Sequence, residues 1–172
     1  MRIRRAVYSD AADIAKVHID SWKTTYRGIV PDAYIDKLSF DDRLNQWETA
    51  LKSGQLVVVA ENEEGAVVGF ANGGKERSSH PLYTGELYAL YILKAYQRQG
   101  IGSLLVREVM KTLSHEGLHS MLIWVLEDNP ATMFYRSMGG KEVMRQTIER
   151  GVLLTQIAYG WDGLASEMEH EG

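Results

Sequence analysis

The chain of 172 residues contains no cysteine. Disulfides, thiolate metal sites and a cysteine nucleophile are therefore excluded. It also lacks any apolar run near the ~18 residues expected of a membrane span. Its opening, MRIRRAVYSD, has no apolar signal core. No membrane association and cytoplasmic residence are the resulting expectations. A basic excess is missing too. Nineteen Lys and Arg against 23 Asp and Glu leave a net charge of −4, which argues against a nucleic-acid partner. The five histidines form no ligand pattern: His115 and His119 have helical spacing, but Gly117 between them reads as a helix stop, so no metal is expected. Repeats, linkers and low-complexity segments are likewise absent. What is present is an ordinary globular composition, 45% hydrophobic and 24% charged. It suits a single domain over residues 1–163, followed by a tail, residues 164–172, with little to bury.

Along the chain, residues 2–7 read as a strand. Ser9 or Asp10 can cap a first helix that carries Ala12, Ala15, Ile19 and Trp22 on one side, with Ile14 and Val17 beside them. Gly28 ends it. Pro31 introduces a short second helix, and Ser39 opens a third through Leu44, Trp47 and Leu51 that closes at Gly54. Residues 55–61 and 66–73 form a hairpin. Residues 75–85 are polar and loop-like, and residues 86–93 (ELYALYIL) are rich in β-formers. An amphipathic helix follows, with Ile101, Leu105, Val109 and Leu113 every four residues and Leu104 and Met110 widening the face. Residues 120–126 read as a buried strand, and Asn129-Pro130 starts a helix that Gly139-Gly140 ends. Residues 141–149 and 153–159 close the chain as a hairpin. A helical crossover makes the strands at Glu86 and Ser120 parallel neighbours.

The stretch Gln97-Arg98-Gln99-Gly100-Ile101-Gly102-Ser103 stands between a strand and a helix. A glycine turn there leaves the first helix amides unpaired and aimed outward, which together with the helix dipole makes a phosphate site. A triphosphate loop needs Gly-Lys-Ser/Thr, whereas Gly102 precedes Ser103 and Leu104. The dinucleotide fingerprint lacks its third glycine, because Leu105 occupies that position.

Residues 97–102 fit Gln/Arg-x-x-Gly-x-Gly/Ala, and Asn129-Pro130-x-x-x-Phe134-Tyr135 follows in order. In both, the chain resembles the GNAT superfamily of acetyl-CoA-dependent N-acetyltransferases, approximately from Arg2 to Tyr159. The resemblance implies an α/β fold: a mixed, mostly antiparallel central sheet flanked by helices, with a splayed parallel strand pair forming the slot for CoA. It implies that amides from Arg98 to Ser103 hold the pyrophosphate. Leu90, Tyr91 and Ile92 are then expected to pair by main chain with pantetheine. Arg98 or Lys94 either adds charge to the phosphate grip or is simply exposed. Asn129 either bonds the pantetheine arm or serves as an N-cap.

The same resemblance gives Tyr135 as the general acid that protonates the departing thiolate, against a core tyrosine with a satisfied hydroxyl. Glu86, at the start of its strand, is the candidate base, sharing a face with Tyr88, Leu90 and Ile92 by alternation; the alternative is a strand-end residue meeting solvent. Trp22, Tyr26, Asp32 and Tyr34 gather aromatic faces and charge around Gly28, suited to a small cationic amine. Against that, Trp22 packs the core and Asp32 caps the helix after Pro31. The expected reaction is direct attack of a primary amine on the thioester, since no cysteine exists to carry the acyl group. Protein N-terminal or lysine acetylation is the alternative within enzymes, and a catalytically silent acyl-CoA-binding module is the alternative outside them. The closing hairpin can pair across a two-fold axis, so a homodimer is compatible with the sequence.

Overall fold

The computed structural model describes residues 1–165. Among them, seven strands form one sheet in the order β1-β2-β3-β4-β5-β7-β6. They are β1 (Arg2–Arg5), β2 (Leu56–Glu61), β3 (Val67–Lys75), β4 (Gly85–Ile92), β5 (Met121–Leu126), β6 (Lys141–Glu149) and β7 (Leu153–Trp161). The helices are α1 (Ala11–Tyr26), α2 (Asp32–Ile35), α3 (Phe40–Lys52), α4 (Ile101–His115) and α5 (Ala131–Ser137). β4 and β5 are parallel, and every other neighbouring pair is antiparallel. This is the mixed, mostly antiparallel sheet that the sequence leads one to expect.

The sheet is covered on both faces, and β2 shows why its sequence is apolar throughout. Leu56, Val58 and Ala60 pack with α4, while Val57 and Val59 pack with α1 and α3. On α4 the buried stripe runs through Ile101, Leu105, Val106, Val109, Met110 and Leu113. Leu104 instead stands 45% exposed, so Val106 replaces it in the expected face. On α1 the buried stripe takes in Ile14, Ala15, His18 and Ser21, and Ala12 is exposed. Ser39 caps α3 as expected, its Oγ accepting the Asp42 amide at 3.3 Å. Asp10 occupies the N-cap position of α1, but its side chain makes no capping bond there. The Asp10 carboxylate is drawn to Arg4 (2.8 Å) and to the Val7 amide (2.8 Å) instead. Arg4 also reaches Glu61 at 2.8 Å, tying β1 to both the entry of α1 and the end of β2.

Two departures from regular pairing shape the centre of the sheet. The parallel pair β4–β5 is joined only at Gly85↔Met121 and Glu86↔Leu122, after which the strands part. On its other side β4 stays paired with β3 as far as Ile92, but the register skips Tyr88, since Gly73 faces Leu87 and Asn72 faces Ala89. Tyr88 is thus the extra residue of a β-bulge, which moves every later side chain to the opposite face. Leu87, Leu90 and Ile92 therefore lie on the α4 side, with Ala89 and Tyr91 on the α1 side. The strict alternation expected from the sequence, with Glu86 and Leu90 on one face, is broken there.

At the C-terminus, Leu164 is fully buried and its amide donates to His119 O at 2.9 Å. The chain is therefore anchored one residue past the boundary read from the sequence, and the rest of the expected tail, from residue 166 on, lies outside the described residues. No described helix is long and apolar enough to cross a membrane.

Candidate active site

Where β4 and β5 part, they open a cavity of about 620 Å³. Its walls are β4 from Tyr88 to Ile92, Ile123 to Val125 of β5, the start of α4, the start of α5 and the last turns of α1. Beyond Glu86, main-chain groups of β4 that point toward β5 have no strand partner, so the cavity has a polar backbone edge ready to take a further extended chain.

One end of the cavity is built from the turn before α4. Arg98 (φ 62) and Gly100 (φ 82) both take left-handed backbone conformations. As a result, none of the amides of residues 98–103 has a hydrogen-bond acceptor among the described residues. They converge at the N-terminus of a 15-residue helix. Gly102 keeps the floor open: a Cβ there would meet the Phe134 ring at 3.2 Å and Ile92 at 3.4 Å. Gln97 and Gln99 spend their side chains on the turn itself, donating to Ile92 O (3.0 Å) and Ala95 O (3.3 Å). Lys94 and Arg98 are exposed on the rim. Unpaired amides, a helix dipole and room where a side chain would intrude are what a pyrophosphate requires. The residues present fit CoA.

The other end is aromatic. Tyr135, on α5, is 3% exposed among Phe134, Tyr159 and Trp161, and its hydroxyl has no hydrogen-bond partner among the described residues. Burial holds its pKa far above that of a free tyrosine, with Tyr26 nearby adding to the effect. Asn129 caps α5, its Oδ1 accepting the Ala131 amide at 2.9 Å. Its Nδ2 also donates to the Tyr26 hydroxyl at 3.4 Å. Asn129 thus holds the first turn of α5 and also lines the cavity.

The candidate acceptor residues do not stay together. Tyr26 is buried and lines the cavity. Trp22 packs against it at 4.3 Å and donates to the Tyr91 hydroxyl at 2.9 Å, behind the wall. Asp32 is exposed and paired with Arg27 at 3.0 Å, and Tyr34 is exposed on α2. Neither lines the cavity. In their place the sequence reading missed Ser21, Thr24 and Thr25, which face inward from the last turns of α1. Ser21 Oγ is buried without a partner, a polar atom that core packing does not explain. Its i, i+4 relation to Thr25 was the signal available.

Glu86 is buried, 3% exposed, rather than meeting solvent, yet it stands off the cavity wall. Its carboxylate accepts from Arg77, through the guanidinium at 2.6 Å and the main-chain amide at 3.1 Å. Arg77 also lies over the Tyr88 ring at 4.0 Å. Sequence spacing could not reveal this pair, because a loop of nine residues folds back to make it. Among the described residues, no three His, Asp or Glu side chains gather as a metal site.

An amide cradle at a helix N-terminus, opening into a slot between parting parallel strands, defines an acyl-CoA-dependent transferase. The chain belongs to the GNAT family of acetyltransferases, matching it over residues 18–140. It is 40% identical over 165 residues to the N-acetyltransferase YuaI of Bacillus subtilis, covering 95% of this chain and 94% of that protein. It is 30% identical over 153 residues to the L-methionine sulfoximine/L-methionine sulfone acetyltransferase of Salmonella typhimurium, covering 88% and 86%. Among solved structures, yncA of Salmonella typhimurium with its cofactor acetyl-CoA superposes with a TM-score of 0.73 at 25% identity, over 94% of this chain and 93% of that one. The chain is therefore an N-acetyltransferase of the acetyl-CoA-dependent kind.

Proposed function

We propose that this enzyme acetylates the α-amine of a small amino-acid-like molecule. The observation that carries the chemistry is the meeting, in one cavity, of the amide cradle and the unpartnered Tyr135 hydroxyl. Acetyl-CoA supplies an activated acyl carbon. Amides of Arg98, Gln99, Gly100, Ile101, Gly102 and Ser103 hold its pyrophosphate, and the free main-chain edge at Leu90, Tyr91 and Ile92 holds pantetheine as an added strand would. Because β4 and β5 part after Glu86, unpaired amides of β4 are available to the thioester carbonyl oxygen, where negative charge develops.

Tyr135 delivers its proton to the departing sulfur. Burial keeps that proton in place until the sulfur carries charge, which is the condition for an acid that acts late. Glu86 takes the proton of the attacking amine by way of water, since its carboxylate lies two residues before Tyr88 rather than on the wall. Trp22 supports the aromatic end from outside the cavity, through the Tyr26 ring and the Tyr91 hydroxyl. The acceptor class rests on the substrates of two relatives: methionine sulfoximine and sulfone for the Salmonella enzyme, and L-amino acids for MnaT of Escherichia coli, 28% identical over 140 residues.

The test is steady-state thiol release from acetyl-CoA with panels of free amino acids, methionine sulfoximine and sulfone, polyamines, and peptides with free N-termini. Turnover on amino acids with little on their amides or on peptides supports the reading. Preferred turnover on peptides or polyamines overturns the acceptor class, and tight acetyl-CoA binding without turnover on any panel overturns the reaction.

A further inference from the structure

Three side chains from separate segments converge on Tyr26, a phenol on the cavity wall. The Trp22 indole can only donate, so at 2.9 Å the Tyr91 hydroxyl accepts from it and keeps its own hydrogen for another partner. The Tyr26 hydroxyl is its close neighbour. Asn129 has its amide orientation fixed from the other side, because Oδ1 accepts the Ala131 amide. Its Nδ2 therefore faces Tyr26 as a donor, at 3.4 Å. The Tyr26 oxygen thus faces the Asn129 donor, which leaves its own hydrogen to turn toward the cavity that the residue lines.

The phenol is also held rigidly. It is 8% exposed, and the Trp22 ring lies 4.3 Å away. Its bond to Asn129 ties it to the segment just before α5, the helix that carries Tyr135. The Tyr26 and Tyr135 hydroxyls therefore belong to the same side-chain end of the cavity, to which Ser21 Oγ adds a further unpartnered hydroxyl.

We propose that Tyr26 is a second catalytic residue, whose hydroxyl donates a hydrogen bond to the thioester sulfur as the carbon–sulfur bond breaks. This deepens the acetyltransferase reading and rests on it. The electron pair of the breaking bond leaves on sulfur, and the proton of Tyr135 neutralises it. The proton shed by the amine returns to Tyr135 through solvent. Tyr26 keeps its proton throughout and lowers the charge that the sulfur bears. Trp22 and Tyr91 are positioning residues: they turn the Tyr26 hydroxyl outward and touch neither donor nor acceptor with their side chains.

The readout is the ultraviolet titration of the CoA thiol bound to the enzyme, measured beside steady-state kinetics. Losing a hydrogen bond to a charged sulfur in Tyr26→Phe raises the bound-thiol pKa by about one unit and lowers kcat about tenfold. KM for acetyl-CoA stays within about twofold, because the ground-state thioester sulfur is a poor acceptor. Trp22→Phe, which keeps the ring and loses the N–H, shifts the titration in the same direction by less. An unmoved thiol titration with a raised KM for the amine would make Tyr26 part of the acceptor wall and overturn the proposal. Where Tyr26→Phe fails to fold, an unmoved titration in Trp22→Phe overturns it equally. The two readings fail differently. A wild-type enzyme that neither binds nor uses acetyl-CoA sinks the acetyltransferase reading itself. An active wild type with an inactive Tyr135→Phe and a Tyr26→Phe indistinguishable from wild type sinks only this one.

Discussion

The two ends of the cavity are made of different material. The cradle before α4 is backbone, six successive amides held open by Gly100 and Gly102, while the end beneath α1 is side chain, gathered from α1, β4 and α5. Backbone groups are the same in every residue, so a grip built from them needs only a chain path, and a path can be written in a short run of glycines. A side-chain wall needs particular atoms brought from distant segments. Donor recognition is therefore local in this molecule and acceptor recognition is not.

The largest effect that would sharpen this contrast is on the chemical step. Tyr135→Phe lowers kcat by about a thousandfold, within the usual range for a positioned acid, while acetyl-CoA affinity, held by the backbone, changes little. Single-turnover kinetics with separate binding measurements decide it. An affinity loss equal to the rate loss would mean that the side-chain end also grips the donor.

Next in size is an asymmetry between the two faces of the sheet. His18 is buried on the α1 face, accepting from the Trp47 indole at 3.1 Å and stacked on Tyr91. Burial lowers its pKa from 6.5 to about 4. Between those values the unfolded chain holds a proton that the folded one refuses, so stability falls as pH drops from 6.5 toward 4. The full shift corresponds to roughly 3 kcal/mol. Chemical denaturation at a series of pH values measures it. His18→Gln, whose carbonyl can still accept from Trp47, flattens that part of the slope. An unchanged slope would place the acid sensitivity elsewhere, for example at the Arg4–Asp10 pair.

A smaller effect tests the cradle alone. Gly102→Val pushes carbon against Phe134 and Ile92 and fills the floor. It raises KM for acetyl-CoA by about tenfold, roughly 1.4 kcal/mol, and moves KM for the amine far less. Equal changes in both would erase the division between the two ends. Smallest of all, Asp32→Asn alters KM for the amine by less than about twofold, since the carboxylate is exposed and spent on Arg27. A larger change would return Asp32 to the acceptor site.

Legibility followed the same division. The glycine spacing at residues 97–102, the Asn129-Pro130 start of α5 and the place of Tyr135 on it could all be read directly, because each depends on neighbours within a few residues. The Tyr88 bulge could not. Strand alternation is counted from sequence, and only the pairing with β3 reveals that one residue has been skipped. His18 was hidden for a related reason: the buried stripe of α1 was read one position away, through Ala12 instead of Ala11 and His18. Asp32 and Tyr34 have fitting chemistry, but α2 turns them outward.

By itself, then, the sequence determined the order of elements, the mixed sheet, the helix termini and the donor. The elements, the sheet and the termini follow from periodicity, capping and backbone conformation, all of which act over a few residues, and the donor follows from the family resemblance. Only the tertiary structure decided that β4 and β5 part after two paired residues, that Arg77 folds back onto Glu86, and that Trp22, Tyr91 and Asn129 meet around Tyr26. Those contacts join residues up to 103 positions apart. They exist because packing on both faces of one twisted sheet brings remote side chains to the same gap, and no local rule records which ones will meet there.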